Sequence, residues 1–200
     1  MQALTWLALF WMILPIAVGQ SAPQRGPISV GRVSWWPGEG SAADVVGPNS
    51  GTLLNGVGFD TGANGSAFTF DGVDDYVEAP ALGLPTGNSD RTLEMWVWLE
   101  PISCCTLYFF AGYGGFGSQS SSYALGAYSD GRLFFSQWGG GILGPTLVTG
   151  RWYHVAVTSR GNSVSLYLDG NLVASGTLTI QTASGSAFYI GDRKSTRLNS

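Results

Sequence analysis

Between Arg32 and Gly191 apolar and polar positions alternate with a period of two, and helical periodicity is scarce. The cleanest run is Thr92-Leu-Glu-Met-Trp-Val-Trp-Leu99. It puts Leu93, Met95, Val97 and Leu99 on one face and Glu94, Trp96 and Trp98 on the other. Residues 33–36 predict a short strand stopped by Pro37-Gly38. Residues 67–70 run into Asp71-Gly72, a hairpin signal, and Tyr76-Val77 resumes until Pro80. Residues 152–158 and 164–168 flank a turn cluster at Arg160-Gly161-Asn162, and Asp169-Gly170 turns the chain back into residues 172–174. Turn signals about every 8–12 residues, with no helix-length segment, predict an all-β antiparallel sandwich.

Both ends break this pattern. After Thr5 the chain is apolar through Val18, with Pro15 near its end, and Ala17 and Gly19 stand where a small-x-small cleavage site requires them. This predicts a secretory signal over 1–19, a linker over 20–31 and a domain over 32–191, hence a secreted or cell-surface protein. The apolar run is shorter than the roughly 20 residues of a membrane span, so no stable span is expected after cleavage. Residues 192–200, Asp-Arg-Lys-Ser-Thr-Arg-Leu-Asn-Ser, match the in-frame translation of a common sequencing-library adapter. They are expected to be a non-native tail on a truncated domain.

Charge narrows the partners. The chain has nine Lys and Arg against thirteen Asp and Glu, and its one lysine, Lys194, lies in that tail. A lysine-free acidic body lacks the clustered cations that nucleic acid or an anionic membrane would need. Aromatics at 13% and charged residues at 11% exclude a disordered chain.

Most catalytic patterns are weak. The single histidine, His154, alternates with Trp152 and Ala156, which predicts an inward, packed ring without a nucleophile beside it. No Gly-x-Ser-x-Gly elbow occurs, and one His with two Cys does not fill a zinc site. Gly112-Tyr-Gly-Gly-Phe-Gly117 fits the dinucleotide pattern in letters only, because no helix follows it; it reads as a glycine-rich loop. Cys104 and Cys105 are adjacent and leave three readings: a vicinal disulfide, one buried and one exposed thiol, or pairing to a segment outside this chain.

Four segments in order resemble a known family. Phe70-Asp-Gly-Val-Asp-Asp-Tyr-Val-Glu78 and Thr92-Leu-Glu-Met-Trp-Val97 look like signature strands of the LamG-like jellyroll family, within the concanavalin A-like lectin/glucanase group. Gly150-Arg-Trp-Tyr-His-Val-Ala-Val157 with Tyr167-Leu-Asp-Gly-Asn-Leu-Val-Ala174 is similar to its hairpin, and Trp35 with Asp44-x-x-Gly-x-Asn49 to its opening strand and loop. The resemblance implies a jelly-roll sandwich from Arg32 to about Gly191. It also implies a further closing strand after that point, so the last strand is expected to be missing and a sheet edge unpaired.

The resemblance raises three chemistries. Fold-related glucanases carry Glu-x-Asp-x-Glu on one strand face, whereas this chain has Glu94-x-Trp96-x-Trp98, so no hydrolase activity is expected. Calcium, found in relatives, would be held by Asp44 and Asn49; the competing reading is an Asx turn. Carbohydrate would stack on aromatics in the Gly/Ser-rich loops, with Trp138, Tyr123 and Tyr113 as platform and Gln137 orienting hydroxyls, while Trp36, Trp96 and Trp152 are assigned to the core. The reading as a whole is an exported, non-catalytic binding or adhesion module for carbohydrate. An interaction domain for extracellular protein, or an accessory domain of a larger extracellular enzyme, is the alternative.

Overall fold

The computed structural model describes residues 31–100 and 107–191. The expected signal and nearly all of the linker, Cys104, Cys105 and residues 192–200 lie outside them. Every regular element in the described residues is a strand: β1 (Thr52–Leu54), β2 (Gly58–Thr61), β3 (Ser66–Thr69), β4 (Tyr76–Ala79), β5 (Arg91–Trp98), β6 (Leu107–Gly114), β7 (Ser122–Tyr128), β8 (Arg132–Ser136), β9 (Gly141–Thr146), β10 (Trp152–Arg160), β11 (Ser163–Leu168), β12 (Asn171–Thr177) and β13 (Phe188–Ile190). Seven form one sheet in the order β1-β4-β13-β6-β7-β8-β9, four form a second in the order β12-β11-β10-β5, and β2 pairs with β3 alone. All pairings are antiparallel, as the jelly-roll expectation requires.

The core lies between the two larger sheets. Alternate residues of each strand point into it: Tyr123, Leu125, Leu133 and Phe135 from the large sheet meet Val155, Val157, Val164 and Leu166 from the small one. Leu93 and Met95 of β5 pack against the same cluster. The β11–β12 connection is the expected tight turn: Asp169 (φ 49°) and Gly170 (φ 80°) are both left-handed, which matches the twist of the strands they join.

Three local expectations change. Residues 33–36 are not a strand, because loop groups take their backbone: Trp35 N donates to Asp44 Oδ1 (3.0 Å) and Trp35 O accepts from Val45 N (3.0 Å). Trp36 is held instead by its indole, which donates to Asn49 O (2.8 Å) and stacks on Phe188 at 4.6 Å. Asp71-Gly72 does not close a hairpin, since β3 pairs with β2 while β4 lies between β1 and β13. Gly112 and Gly114 belong to β6 rather than to a loop, and Gly112 leaves room for Ala124 of the paired strand. Among the described residues the free edges are β1 and β9 of the large sheet and β12 and β5 of the small one.

Candidate functional site

The outer face of the small sheet follows from the phase of β5 and β10. Val97 turns inward on β5, and Tyr153, Val155 and Val157 turn inward on β10, so their neighbours must face out. Register then places Trp152 opposite Trp98, His154 opposite Trp96 and Ala156 opposite Glu94, with Tyr167 of β11 beyond Ala156. The Trp98 and Trp152 rings meet edge to face at 5.8 Å, and Trp96 meets His154 at 5.3 Å. Trp96 is 55% exposed and Trp98 43%, among the most exposed large apolar side chains of the described residues.

Polar groups border these rings. Trp98 Nε1 donates to Glu100 Oε1 at 2.6 Å, and His154 Nε2 lies 3.8 Å from Glu94 Oε2. Arg151 Nη2 reaches Asp169 Oδ2 at 2.8 Å, and the other Asp169 oxygen accepts from His154 N at 2.9 Å. Such a surface offers indole faces to the apolar side of a ring and carboxylate, imidazole and phenol groups to its hydroxyls. The outward positions of β5 hold one carboxylate and two indoles, not the closely spaced carboxyl pair that a retaining glycosidase uses. The expectations that His154 is packed inward and that Trp96 and Trp152 are buried in the core are therefore corrected.

The loop platform expected around Trp138 is not assembled. Tyr113 and Tyr123 point into the core, because β6 runs on to Gly114 and β7 begins at Ser122, so both tyrosines are strand residues paired with each other. The Tyr113 hydroxyl donates to Pro85 O (2.7 Å) and accepts from Arg91 Nη1 (3.1 Å); the Tyr123 hydroxyl reaches Ser159 Oγ at 3.3 Å. Burial pushes the Tyr123 phenol up to about 12, against the opposing Ser159 hydrogen bond and Arg91 charge, and burial likewise raises that of Tyr113. Gln137 is buried as well. Trp138 is half-buried with φ 64°, and its indole meets the Phe116 ring edge-on at 6.2 Å. Of the four residues expected there, only Trp138 reaches the surface.

The loop from Asp44 to Asn49 is filled by its own backbone. Asp44 Oδ1 accepts from the amides of Trp35 (3.0 Å), Val46 (3.0 Å) and Gly47 (2.9 Å), and Oδ2 from that of Asn49 (3.1 Å). Desolvation pushes the carboxyl up, but the amides of Gly47, Trp35 and Val46 and the Ser34 hydroxyl outweigh it and hold it at about 2. Asn49 is fully buried; its Nδ2 donates to Ser34 Oγ (2.7 Å) and Leu82 O (3.0 Å), and its Oδ1 accepts from Leu82 N (2.8 Å). These donor sets are committed to the fold and do not suit a calcium ion. A different group does gather oxygens: ligand atoms of Asp71, Asp74 and Asp75 lie within 4.8 Å of one another. In the sequence this group is hidden by Asp71-Gly72, whose turn signal accounts for the first aspartate without the other two.

Among the described residues no helix is long and apolar enough to cross a membrane. None of the curated proteins matches this chain. Among solved structures it is similar to domain 4 of AbnA, a GH43 extracellular arabinanase from Geobacillus stearothermophilus, in complex with arabinotriose: 20% identity, TM-score 0.56, covering 75% of this chain and 77% of that one. It also aligns with the carbohydrate-binding module CBM66 from Bacillus subtilis at 16% identity and TM-score 0.43, covering 71% of this chain and 88% of that one. A polysaccharide lyase family 7 alginate lyase, AlgAT5, aligns at 14% identity and TM-score 0.44, covering 66% of this chain and 68% of that one. Residues 71–199 match the family described as the concanavalin A-like lectin/glucanases superfamily. With that match spanning more than half of its length, and with the sandwich described above, the chain belongs to the concanavalin A-like lectin/glucanase superfamily.

Proposed function

We propose that the chain is an exported, non-catalytic module that binds carbohydrate on the outer face of its small sheet. One observation carries this reading: Trp96 and Trp98 stay exposed side by side on β5, flanked by Trp152 and His154 of β10. Large apolar side chains left in water on one face mark a binding surface, and indoles are suited to the apolar face of a sugar ring. The lysine-free body favours a neutral ligand over a polyanion. The likeness to an arabinanase domain solved with arabinotriose supports the same class of ligand.

Affinity electrophoresis through gels containing arabinan, xylan or mixed-linkage β-glucan tests the reading. At least one polysaccharide should retard the protein. Trp98→Ala should weaken binding by about tenfold or more, since truncating a central indole of an interface costs roughly 2 kcal/mol. Its melting temperature should stay within a few degrees of the parent. No retardation in any gel, or full retardation of a Trp96→Ala/Trp98→Ala double variant, would refute the assignment. Loss in Trp138→Ala alone would move the platform to the loop side.

Among the described residues no strand pairs with the outer edge of β5, which favours a second reading, in which an extracellular protein partner adds a strand there. That reading predicts no polysaccharide retention and no dependence on the Trp98 ring face.

A further inference from the structure

The row of side chains that β5 turns outward does not end at its indoles. Burial of Val97 and Leu99 fixes the phase, so Glu94, Trp96, Trp98 and Glu100 all face away from the core. The order along the face is carboxylate, indole, indole, carboxylate. Successive members stand about 6.5–7 Å apart along the chain, which separates the two carboxylates by roughly 20 Å.

The cations of the same sheet do not neutralise this row. Arg151 Nη2 is bonded to Asp169 Oδ2 at 2.8 Å, and Arg160 Nε lies 3.8 Å from Asp90 Oδ2. Arg91 turns inward, and its guanidinium donates to the carbonyls of Pro85, Thr86, Gly87 and Ser89. His154, 3.8 Å from Glu94, is the remaining group, and when protonated it offsets one carboxylate of the two. Glu100 accepts from the neutral Trp98 indole N–H at 2.6 Å and has no cation beside it among the described residues. The exposed indoles are thus bordered by net negative charge.

That combination points to a kind of ligand. The negative face of an indole attracts a cation placed over it, and a carboxylate at the ring's edge adds to the attraction. A small ammonium ion does not suit the geometry: aromatic cages surround such ions, whereas these rings stand side by side on one sheet. Two carboxylates roughly 20 Å apart call instead for a chain along which cations recur. A polyanion would be repelled at both ends of the row.

We propose that the outer face of the small sheet binds a polysaccharide of amino sugars, with protonated amines beside Glu94 and Glu100 and ring faces on Trp96 and Trp98. The inference rests on the carbohydrate reading above and adds to it the charge of the ligand.

Calorimetry with three β-1,4-linked hexasaccharides that differ only at C2 tests it: the glucose, N-acetylglucosamine and glucosamine oligomers, at pH 6 and low salt. The glucosamine oligomer should bind about tenfold more tightly than the other two, and the gap should shrink as NaCl is added. Trp98→Ala should weaken binding of all three. Glu94→Gln/Glu100→Gln should close most of the gap, lowering affinity for the glucosamine oligomer far more than for the glucose oligomer. Asp130→Asn, which removes a charge from the turn between β7 and β8 of the other sheet, should keep the gap. Equal affinity for the three oligomers, a gap that survives the double variant, or a gap lost in Asp130→Asn would each overturn the assignment. So would oligolysine binding as tightly as the glucosamine oligomer without dependence on Trp98, which would mark the face as a site for basic peptide. Retention by a neutral polysaccharide without any preference for the glucosamine oligomer would leave the carbohydrate reading standing while this one falls.

Discussion

Replacing Asp44 with alanine removes the acceptor that organises the whole segment from Trp35 to Asn49. Four amides lose their partner at once, at distances of 2.9–3.1 Å. A hydrogen bond to a charged group contributes about 1.5–3 kcal/mol, but Asp44 is half-buried and water can reach part of the vacated space. The net expectation is a loss of about 2–4 kcal/mol at pH 7, measured by urea denaturation with tryptophan fluorescence. The pH dependence provides a second reading of the same bonds. The folded carboxyl sits at about 2 and the unperturbed one at 3.8. A depressed pKa contributes stability that is complete above the unfolded value and disappears as pH falls toward the folded one. Discounted for partial exposure, that contribution is about 1–2 kcal/mol. The gap between the parent and Asp44→Ala should therefore be widest above pH 4 and narrow by that amount on the way to pH 2. A gap below about 0.5 kcal/mol at pH 7, or one that does not change between pH 4 and pH 2, would refute the role assigned to these amides.

Two further outcomes test the core. Gly112→Ala should cost about 2–3 kcal/mol in denaturant unfolding, because the new Cβ would fall on Ala124 Cβ and 2.9 Å from the Tyr123 carbonyl, where backbone cannot yield cheaply; a change under 0.5 kcal/mol would show that β6 and β7 can separate. Tyr123 should make the fold sensitive to alkali: its phenol is raised to about 12 against 10 in the unfolded chain, so the stability is complete below pH 10 and about 2–3 kcal/mol is lost by pH 12. Tyr123→Phe should flatten that slope in thermal melts, and an unchanged slope would place the alkaline transition elsewhere.

The faces of β5 were legible because its alternation is clean, and the structure keeps Leu93, Met95 and Val97 on the core side. β10 was not, since Trp152, His154 and Ala156 look as apolar as Tyr153, Val155 and Val157. With both sets able to pack, the period gives the spacing but not the phase. Burial of Val155 and Val157 shows that the β-branched set took the core, which is the signal that could have decided it. Trp96 was misplaced for a different reason. Its own strand put it on the same face as Glu94, and the general tendency of tryptophan to be buried overrode that local evidence. At Asp71-Gly72 the error was one of range: a turn signal is local, whereas strand pairing is set by sheet order, and β4 finds its partners in β1 and β13. Asp169-Gly170 succeeded because both strands of that hairpin, β11 and β12, lie together in one sheet.

In the proposed reading this face binds sugar without hydrolysing it, and the strand geometry supports that reading. Residues two apart on a strand share a face, so alternate carboxylates on β5 would bring two acids to one sugar bond. Here the alternate positions after Glu94 are Trp96 and Trp98, and the position opposite Glu94 on β10 is Ala156. The nearest titratable side chain to Glu94 given by that register is His154, 3.8 Å away and in turn against the Trp96 ring. Glu94 beside the His154 imidazole can orient a hydroxyl. The outward positions of β5 place no second carboxyl at the alternate positions next to it, where a retaining glycosidase would use one. The apolar area that Trp96 and Trp98 leave in water contributes to stability only when something covers it, and successive rings of a sugar chain lying along β5 would cover it while their hydroxyls meet Glu94 and His154 at one end and Glu100 at the other.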